Sequence, residues 1–245
     1  MLQQIIAVYL REMRILKHRW FKQMLTMSVS PLLYVITFGF GVGGAMTVDG
    51  VPYIRFLIPG IVAMNSMTYA YAIASDINIS RFYWRVFDEI LCSPVTALNY
   101  TVGEILYGLT RSLIGVVITL IIGAAFGIFL DMGLYFWLGI IGNALVFCCI
   151  AIIASMSISS HADQSMLTSF IITPMAFLSG TFFPVEKMPW IVQKILAVIP
   201  LTHAADVIRA SALGLPFDLW RLLLLVGLAA LLFPFAVRSI MRARE

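Results

Sequence analysis

Apolar residues in this chain gather into long runs, and the first run is preceded by a segment with a different rhythm. In residues 1–22, Leu2, Ile5, Ile6, Tyr9, Leu10, Met13, Leu16 and Trp20 recur in steps of three and four. Gln3, Gln4, Arg11, Arg14, Lys17, His18, Arg19 and Lys22 fill the remaining positions. That spacing predicts an α-helix with one apolar stripe. A stripe opposed by basic residues suits a helix lying in a membrane interface, or one packed on a partner protein. The runs that follow cover about 21–45, 53–75, 100–130, 134–157, 165–183 and 219–237. About 20 apolar residues cross the hydrocarbon layer, so each run is a candidate span. The fifth is interrupted by Pro174 and Gly180. Between it and the last run, segment 184–218 is only moderately apolar and holds Pro184, Pro189, Pro200 and Pro216. Short helices near one surface, re-entrant and packed on protein, are predicted there. Gly39 with Gly43, and Gly123 with Gly127, have the small-xxx-small spacing that lets helices approach closely. The brief connection at 131–133 makes the third and fourth spans antiparallel neighbours.

Composition turns this pattern into a class. Hydrophobic residues make up 61% and charged residues 11% of the 245, with mean hydropathy +0.98. A soluble domain carries about 25% charged residues. Here there are too few to coat a water-facing surface, and disorder needs the opposite composition. The expected fold is an all-α membrane protein. It has six transmembrane helices, an N-terminal interfacial helix and short re-entrant or outer helices before the last span, in one domain over 1–245. The net charge of +4 follows from orientation and needs no nucleic-acid partner. Arg11, Arg14, Lys17, Arg19 and Lys22 precede the first span and Arg55 alone follows it, while Arg238, Arg242 and Arg244 close the chain. By the positive-inside rule both termini are cytoplasmic. Loop 79–97 then lies inside and 184–218 outside. The first twenty residues lack the compact apolar run and cleavage site of a signal peptide. Cys92, Cys148 and Cys149 form no CxxC pair and read as ordinary buried or loop thiols.

The chemistry missing from the sequence is equally informative. No G-K-[ST] occurs, so no P-loop is expected. No HExxH occurs, and His18, His161 and His203 lie in separate regions, so no metal site is expected. Ser179-Gly180 near His203 lacks the GxSG of an intramembrane serine protease, because Phe177 stands where the first glycine belongs. Six spans with short loops fill the chain, so a soluble engine is expected on another polypeptide. Glu104 and Arg111 are seven apart, two turns along one helix face, with Tyr107 and Gly108 between. A charge inside lipid costs about 2.5–3.5 kcal/mol on insertion scales, so each is expected to find a partner. They are either structural or the ionisable machinery of a proton-coupled secondary transporter. Asn65, Ser66, Thr68, Tyr69 and Tyr71 in the second span, and Thr168, Ser169 and Thr173 in the fifth, are polar at mid-span depth. Such groups face protein or a cavity. Asn65, Thr68, Tyr69, Thr168 and Thr173 are the candidates for a translocation path, with interhelical hydrogen bonds as the alternative.

Two stretches go beyond generic membrane physics. One is the loop containing Arg81-Phe82-Tyr83-Trp84-Arg85-Val86-Phe87-Asp88-Glu89-Ile90-Leu91-Cys92-Ser93-Pro94-Val95. It is amphipathic, acidic at Asp88-Glu89, and stops at a proline. It is either an ordinary interfacial helix or one that inserts into a partner's groove. The other is Leu178-Ser179-Gly180-Thr181-Phe182-Phe183-Pro184, followed by Met188-Pro189-Trp190, Ile199-Pro200-Leu201-Thr202-His203 and Arg209.

Taken with the N-terminal helix and the YIRFLIPG run at 53–60, these stretches resemble the permease subunit of type-2 ABC exporters over nearly the whole chain. Five such features occur in the same order at sensible distances. The 53–60 stretch and the outer loop are most similar to the branch of nodulation-factor (lipo-oligosaccharide) and drug exporters. Ile199 stands where many relatives have Asn, and Cys92 where others have a small or β-branched residue. The resemblance implies a permease of the bacterial cytoplasmic (inner) membrane. It carries a lipid-linked, glycan-like or amphipathic drug-like substrate. It pairs with a second permease copy, in contact with membrane lipid, and with two copies of an ABC ATPase subunit. No cofactor is then bound by this chain, with ATP and Mg held by the partner. Arg81, Arg85, Phe87, Asp88, Glu89, Leu91 and Pro94 would form the ATPase-coupling element, beside the N-terminal helix. Ser179, Gly180, Phe183, Pro184 and Pro200 would form an outer gate, with 184–218 capping the path.

Overall fold

The amphipathic N-terminal segment forms α1 (Leu2–His18), which breaks at Arg19 before the first span begins. The structure, a computed structural model, describes residues 1–43, 46–48 and 50–243. The expected end of the first span at Ala45 and the closing Arg244 lie outside the described residues, as do the side chains of Asp88 and Leu91. Val8, Glu12 and Leu16 of α1 are buried, whereas Leu2, Ile6, Leu10 and Trp20 are exposed. The stripe read from the sequence therefore divides between protein and surroundings. The contact is tight because the helix beneath it, Ala97–Ala125, offers a glycine: a Cβ on Gly103 would lie 2.7 Å from Val8 Cβ.

The first span is α2 (Trp20–Tyr34), continuing as a π-helical stretch, Val35–Val42. The expected loop after it is instead a two-stranded hairpin, β1 (Thr47–Val48) with β2 (Val51–Pro52). The second span starts at α3 (Tyr53–Tyr71). It runs on through α4 (Ile73–Asn78) and a π stretch at Ile79–Tyr83, longer than the hydropathy run predicted. A short α5 (Val86–Cys92) precedes α6 (Ala97–Ala125), then α7 (Leu134–Ser157). Gly127 lies beyond α6 with φ +78° and nothing near it. Of the expected Gly123/Gly127 packing pair, only Gly123 meets a neighbour, Ile58. The chain halts α6 with Gly127 because a left-handed residue costs glycine little.

The expected fifth span is a helix from His161 to Leu178, made of α8 (His161–Leu167), a π stretch (Thr168–Ile172) and α9 (Thr173–Leu178). Its polar first turn keeps it off the set of helices, five among the described residues, that are long and apolar enough to cross a membrane. The count reaches six if α10 (Trp190–Leu196) and α11 (Pro200–Leu213) are one broken span, bent by 93°. A bend of this kind suits a broken span or the re-entrant arrangement expected of 184–218. The chain closes with α12 (Leu219–Arg242).

Burial sorts these helices. The apolar stretch of Tyr53–Tyr83 is 83% buried, against 22% for Trp20–Gly41 and 17% for α12. The second span is thus the axis, packed by α6, α7 and α11, while α2 and α12 present broad apolar faces outward. Small polar groups join the axis to its neighbours. Ser112 Oγ donates to the Ser66 carbonyl (3.1 Å), Ser66 Oγ to the Ile140 carbonyl (3.2 Å) and Asn143 Nδ2 to the Ala63 carbonyl (3.1 Å). Hydrogen bonds of this kind hold membrane helices together where the hydrophobic effect does not.

Candidate functional site

Asn65, Thr68 and Tyr69 of α3 converge with Thr168 and Thr173 of the fifth helix on one groove of about 270 Å³. All five candidate path residues therefore line one space, although they come from two helices about a hundred positions apart. The third wall is α2, which adds Thr26, Ser30 and Tyr34. Sequence reasoning passed over these three. Their spacing of four residues, a hydroxyl on every turn of an otherwise apolar run, was the available signal. Among the described lining residues none is charged.

Each polar wall has a local cause. Asn65 Nδ2 donates to Thr119 Oγ1 at 2.7 Å, fixing the amide against α6. Tyr69 OH donates to the Met27 carbonyl at 2.7 Å, tying α3 to α2. Its ring lies where the side chain of residue 115 would be, since a Cβ on Gly115 would come within 2.0 Å of Tyr69 Cδ2. Thr68 Oγ1 turns back to the Met64 carbonyl. Thr173 Oγ1 reaches the Thr168 carbonyl five residues earlier (3.1 Å), which follows from the wide π turn between them. π segments inside helices often mark functional sites. Ser66 and Tyr71 are not in the groove. Ser66 joins the α6–α7 network, and Tyr71 OH accepts from Gln164 Nε2 at 2.9 Å.

One end of the groove is closed by aromatic rings. Phe182 is buried, with ring centroids 5.3 Å from Tyr34, 4.7 Å from Phe38 and 5.2 Å from Phe177. Phe183, one of the expected gate residues, is exposed. Gly180 takes φ +77°, the left-handed turn that ends α9. Ser179 Oγ donates to the Met175 carbonyl and is buried. The turn is pressed on α3, where a Cβ on Gly60 would lie 2.4 Å from the Thr181 carbonyl oxygen. Arg209 of α11 fastens it. Its Nε donates to the Phe56 carbonyl (3.2 Å), its Nη2 to the Gly180 carbonyl (2.6 Å), and its guanidinium lies 3.9 Å from the Phe56 ring centre. Pro184 lines a second cavity of about 470 Å³ with Glu186, Asp206 and Arg221. Pro200 starts α11 at the 93° bend.

The opposite end carries the expected coupling element, narrower than the sequence implied. Only Val86–Cys92 is helical. Arg81 belongs to the end of the second span, and its guanidinium donates to the Ser155 carbonyl of α7. Arg85 occupies the turn with φ 52°, a left-handed conformation that lifts α5 off the axis of the span. Phe87 is buried edge-on against Tyr100 at 5.7 Å, while Glu89 is exposed. Pro94 is past the helix end, and its carbonyl accepts from Gln4 Nε2 of α1 at 2.9 Å. The Gln4 side chain also accepts from Asn99 at the start of α6. Hence α1 is tied to the turn that leads from α5 into α6.

Glu104 and Arg111 do not pair. Arg111 forms an ion pair with Asp76 of α4, which Tyr107 OH also meets at 3.3 Å. Glu104 faces α1 instead, beside Glu12 and Arg11. The two residues of the secondary-transporter alternative, which share one helix face, therefore meet different helices. Heptad spacing indicates a shared face but not which neighbour each residue meets.

With this geometry established, similarity to known proteins is informative. The sequence profile of ABC-2 type transporters matches residues 3–213. Nodulation protein J of Rhizobium meliloti (strain 1021) is 33% identical over 215 residues, 86% of this chain and 82% of that protein. Nodulation protein J of Rhizobium leguminosarum bv. viciae is 31% identical over 215 residues, 86% of this chain and 83% of that one. The inner membrane transport permease YadH of Escherichia coli (strain K12) is 23% identical over 215 residues, 85% and 82% of the two chains.

Proposed function

This chain belongs to the ABC-2 type transporter family, as a membrane permease, and from that premise we propose that it exports an amphipathic, lipid-linked or glycan-like molecule. A separate ABC ATPase drives it. Two permease copies and two ATPase copies make the working assembly, with both termini and α5 on the cytoplasmic side. ATP and Mg belong to the ATPase.

The observation that carries this reading is the convergence of hydroxyl, amide and aromatic groups from α2, α3 and the fifth helix on one uncharged groove. Hydroxyls that turn back on their own helices still keep acceptor capacity, so the wall can hydrogen-bond a polar head group while the lipid-facing helices accommodate a tail. The α1–α5 surface at the other end is the docking face, with exposed Glu89 as the charged contact and buried Phe87 as the lever that transmits force to α6. A partner can shift a conformational equilibrium only through contacts that differ between the two states. A short helix anchored by one ring meets that requirement.

The test is reconstitution with the P-loop ATPase that co-purifies with the chain. Stimulated ATP hydrolysis is expected with the native permease and is expected to fall at least severalfold with Glu89→Lys, the variant still inserting normally. Undiminished stimulation removes Glu89 from the coupling role. If no ATPase co-purifies and none is stimulated, the exporter reading fails.

A further inference from the structure

The junction between α1 and α6 buries more acid than base. Glu104 is 1% exposed and Glu12 5%. Glu104 Oε2 has no hydrogen-bond partner among the described residues, and the Tyr100 hydroxyl sits against the same carboxyl. Glu12 has one cation in contact, Arg11 at 3.2 Å, whose other nitrogen donates to Ser80 at 3.0 Å. The remaining groups facing this pocket are Asp76 on α4, Tyr107 and Arg111 on α6, and the Cys148 thiol on α7. Arg111 is already paired with Asp76. Arg19 faces Asp76 from the exposed end of α1, where water screens it. Two buried carboxylates and the partly exposed Asp76 thus face two partly buried guanidiniums, Arg11 and Arg111.

A buried carboxylate without a counter-charge takes up a proton rather than bear the desolvation cost, and two neighbouring carboxylates do not both ionise. We propose that Glu12 and Glu104 hold one proton between them at neutral pH, forming a protonated clasp that seats the N-terminal helix on the third span. The proton belongs to the pair and not to either residue. Glu12, which lies outside the spans, already has its carboxyl pushed above the ordinary range by burial, against the pull of Arg11. The seated form binds a proton that the unseated form, with both acids solvated, releases. The seating that depends on this proton is therefore full at low pH and declines as pH rises. A partner that draws α1 away from α6 releases the proton, and reseating α1 takes it back. The clasp is independent of the transport reading, because neither acid lines the groove.

Infrared spectroscopy of the full chain in lipid nanodiscs tests this. The expected result is a protonated carboxylic-acid C=O stretch at pH 7 that disappears on alkalinisation. It should be absent in Glu104→Gln, and in Glu12→Gln it should disappear at lower pH than in the native chain, since that variant removes the neighbouring acid and frees Arg11. A wild-type chain without the band, or a band whose pH dependence Glu12→Gln leaves unchanged, overturns the shared proton. A second readout is maleimide labelling of a Val8→Cys probe, expressed as the ratio of native to Glu104→Gln background so that the thiol's own pH dependence cancels. That ratio is expected to rise by up to about tenfold per pH unit, as a single released proton allows, and a flat ratio overturns the clasp.

Discussion

The two ends of this helical bundle handle buried charge in opposite ways. At the end where Gly180 turns, one guanidinium, Arg209, is held by two backbone carbonyls and an aromatic face, with a longer contact at 3.8 Å to Asp206 on its own helix. Backbone acceptors stay charged-group partners at any pH, and they belong to α3 and to the turn after α9, so Arg209 staples three parts of the chain at once. At the end where α1 meets α6, charge is held by side chains on separate helices, acids outnumber cations, and a carboxylate oxygen stays unpartnered. A fully paired charge resists movement because moving it orphans every partner. An incompletely paired one has less to lose. The contrast assigns rigidity to the Gly180 end and adjustability to the α1 end, the end that also exposes α5.

Arg209→Ala tests the rigid side and should have the largest effect. It leaves the Gly180 carbonyl without a donor in a buried place, at a cost of about 1–3 kcal/mol, and removes a desolvated cation–π contact with Phe56 that is worth about 2 kcal/mol; the Phe56 carbonyl keeps the bond of its own helix. A loss on the order of 4 kcal/mol is expected, read as a lower unfolding temperature in detergent. Asp206 keeps Arg221 as its partner, so the damage should stay local to the turn, with new protease cleavage near 179–184. Unchanged cleavage there would mean that Arg209 is not the staple. Gly60→Ala attacks the same contact from the other side. The added methyl would meet the Thr181 carbonyl oxygen at 2.4 Å, a backbone atom that cannot rotate away. Overpacking of this kind costs about 1–3 kcal/mol, and the same unfolding assay measures it.

How far all this could be read from the chain depends on which force sets each feature. Spans were legible because lipid demands about 20 apolar residues in a row, and Leu134–Ser157 was read at its observed bounds. The groove was legible because polar atoms are costly in hydrocarbon, so Asn65 and Thr173 stood out without knowledge of helix rotation. Pairing was not legible. Asp76 lies just past the apolar run predicted for the second span, yet the helix continues to Tyr83 and brings Asp76 against Arg111. Phe182 and Phe183 are adjacent and chemically identical, and only the left-handed turn at Gly180 decides which enters the core. The N-terminal stripe was visible, but its buried Glu12 lies on the polar side of that pattern. Periodicity weighs hydrophobicity and says nothing about a carboxyl that meets another carboxyl.

Asp76→Asn moves the test to the adjustable end. It removes the charge partner of Arg111, which is largely buried, while the Asp76 side chain is 32% exposed. Breaking a fully buried pair costs about 3–5 kcal/mol, and partial access of water lowers the expected figure to about 2 kcal/mol. A loss as large as that of Arg209→Ala would erase the difference between the two ends. The variant should also disturb α1 more than the Gly180 turn, which site-specific labelling on each side distinguishes.

The smallest expected effect lies at the joint between the docking helix and the third span. Thr96 caps α6, its Oγ1 accepting from the Asn99 backbone N–H at 3.2 Å, and Ser93 Oγ closes the end of α5 on the Ile90 carbonyl at 2.6 Å. Thr96→Ala frees one helix-terminal donor, which costs about 1 kcal/mol at an N-cap. Water reaches this exposed position and repairs part of the loss, so global unfolding should barely shift. The first turn of α6, however, also carries Asn99, which the Gln4 side chain holds. Fraying that turn loosens the grip of α1 and α5 on each other. Hydrogen exchange is therefore expected to quicken at residues 97–100 and along the first turn of α1, with no change at the Gly180 turn. Quickening confined to α6 would show that α1 and α5 are joined through contacts other than Gln4.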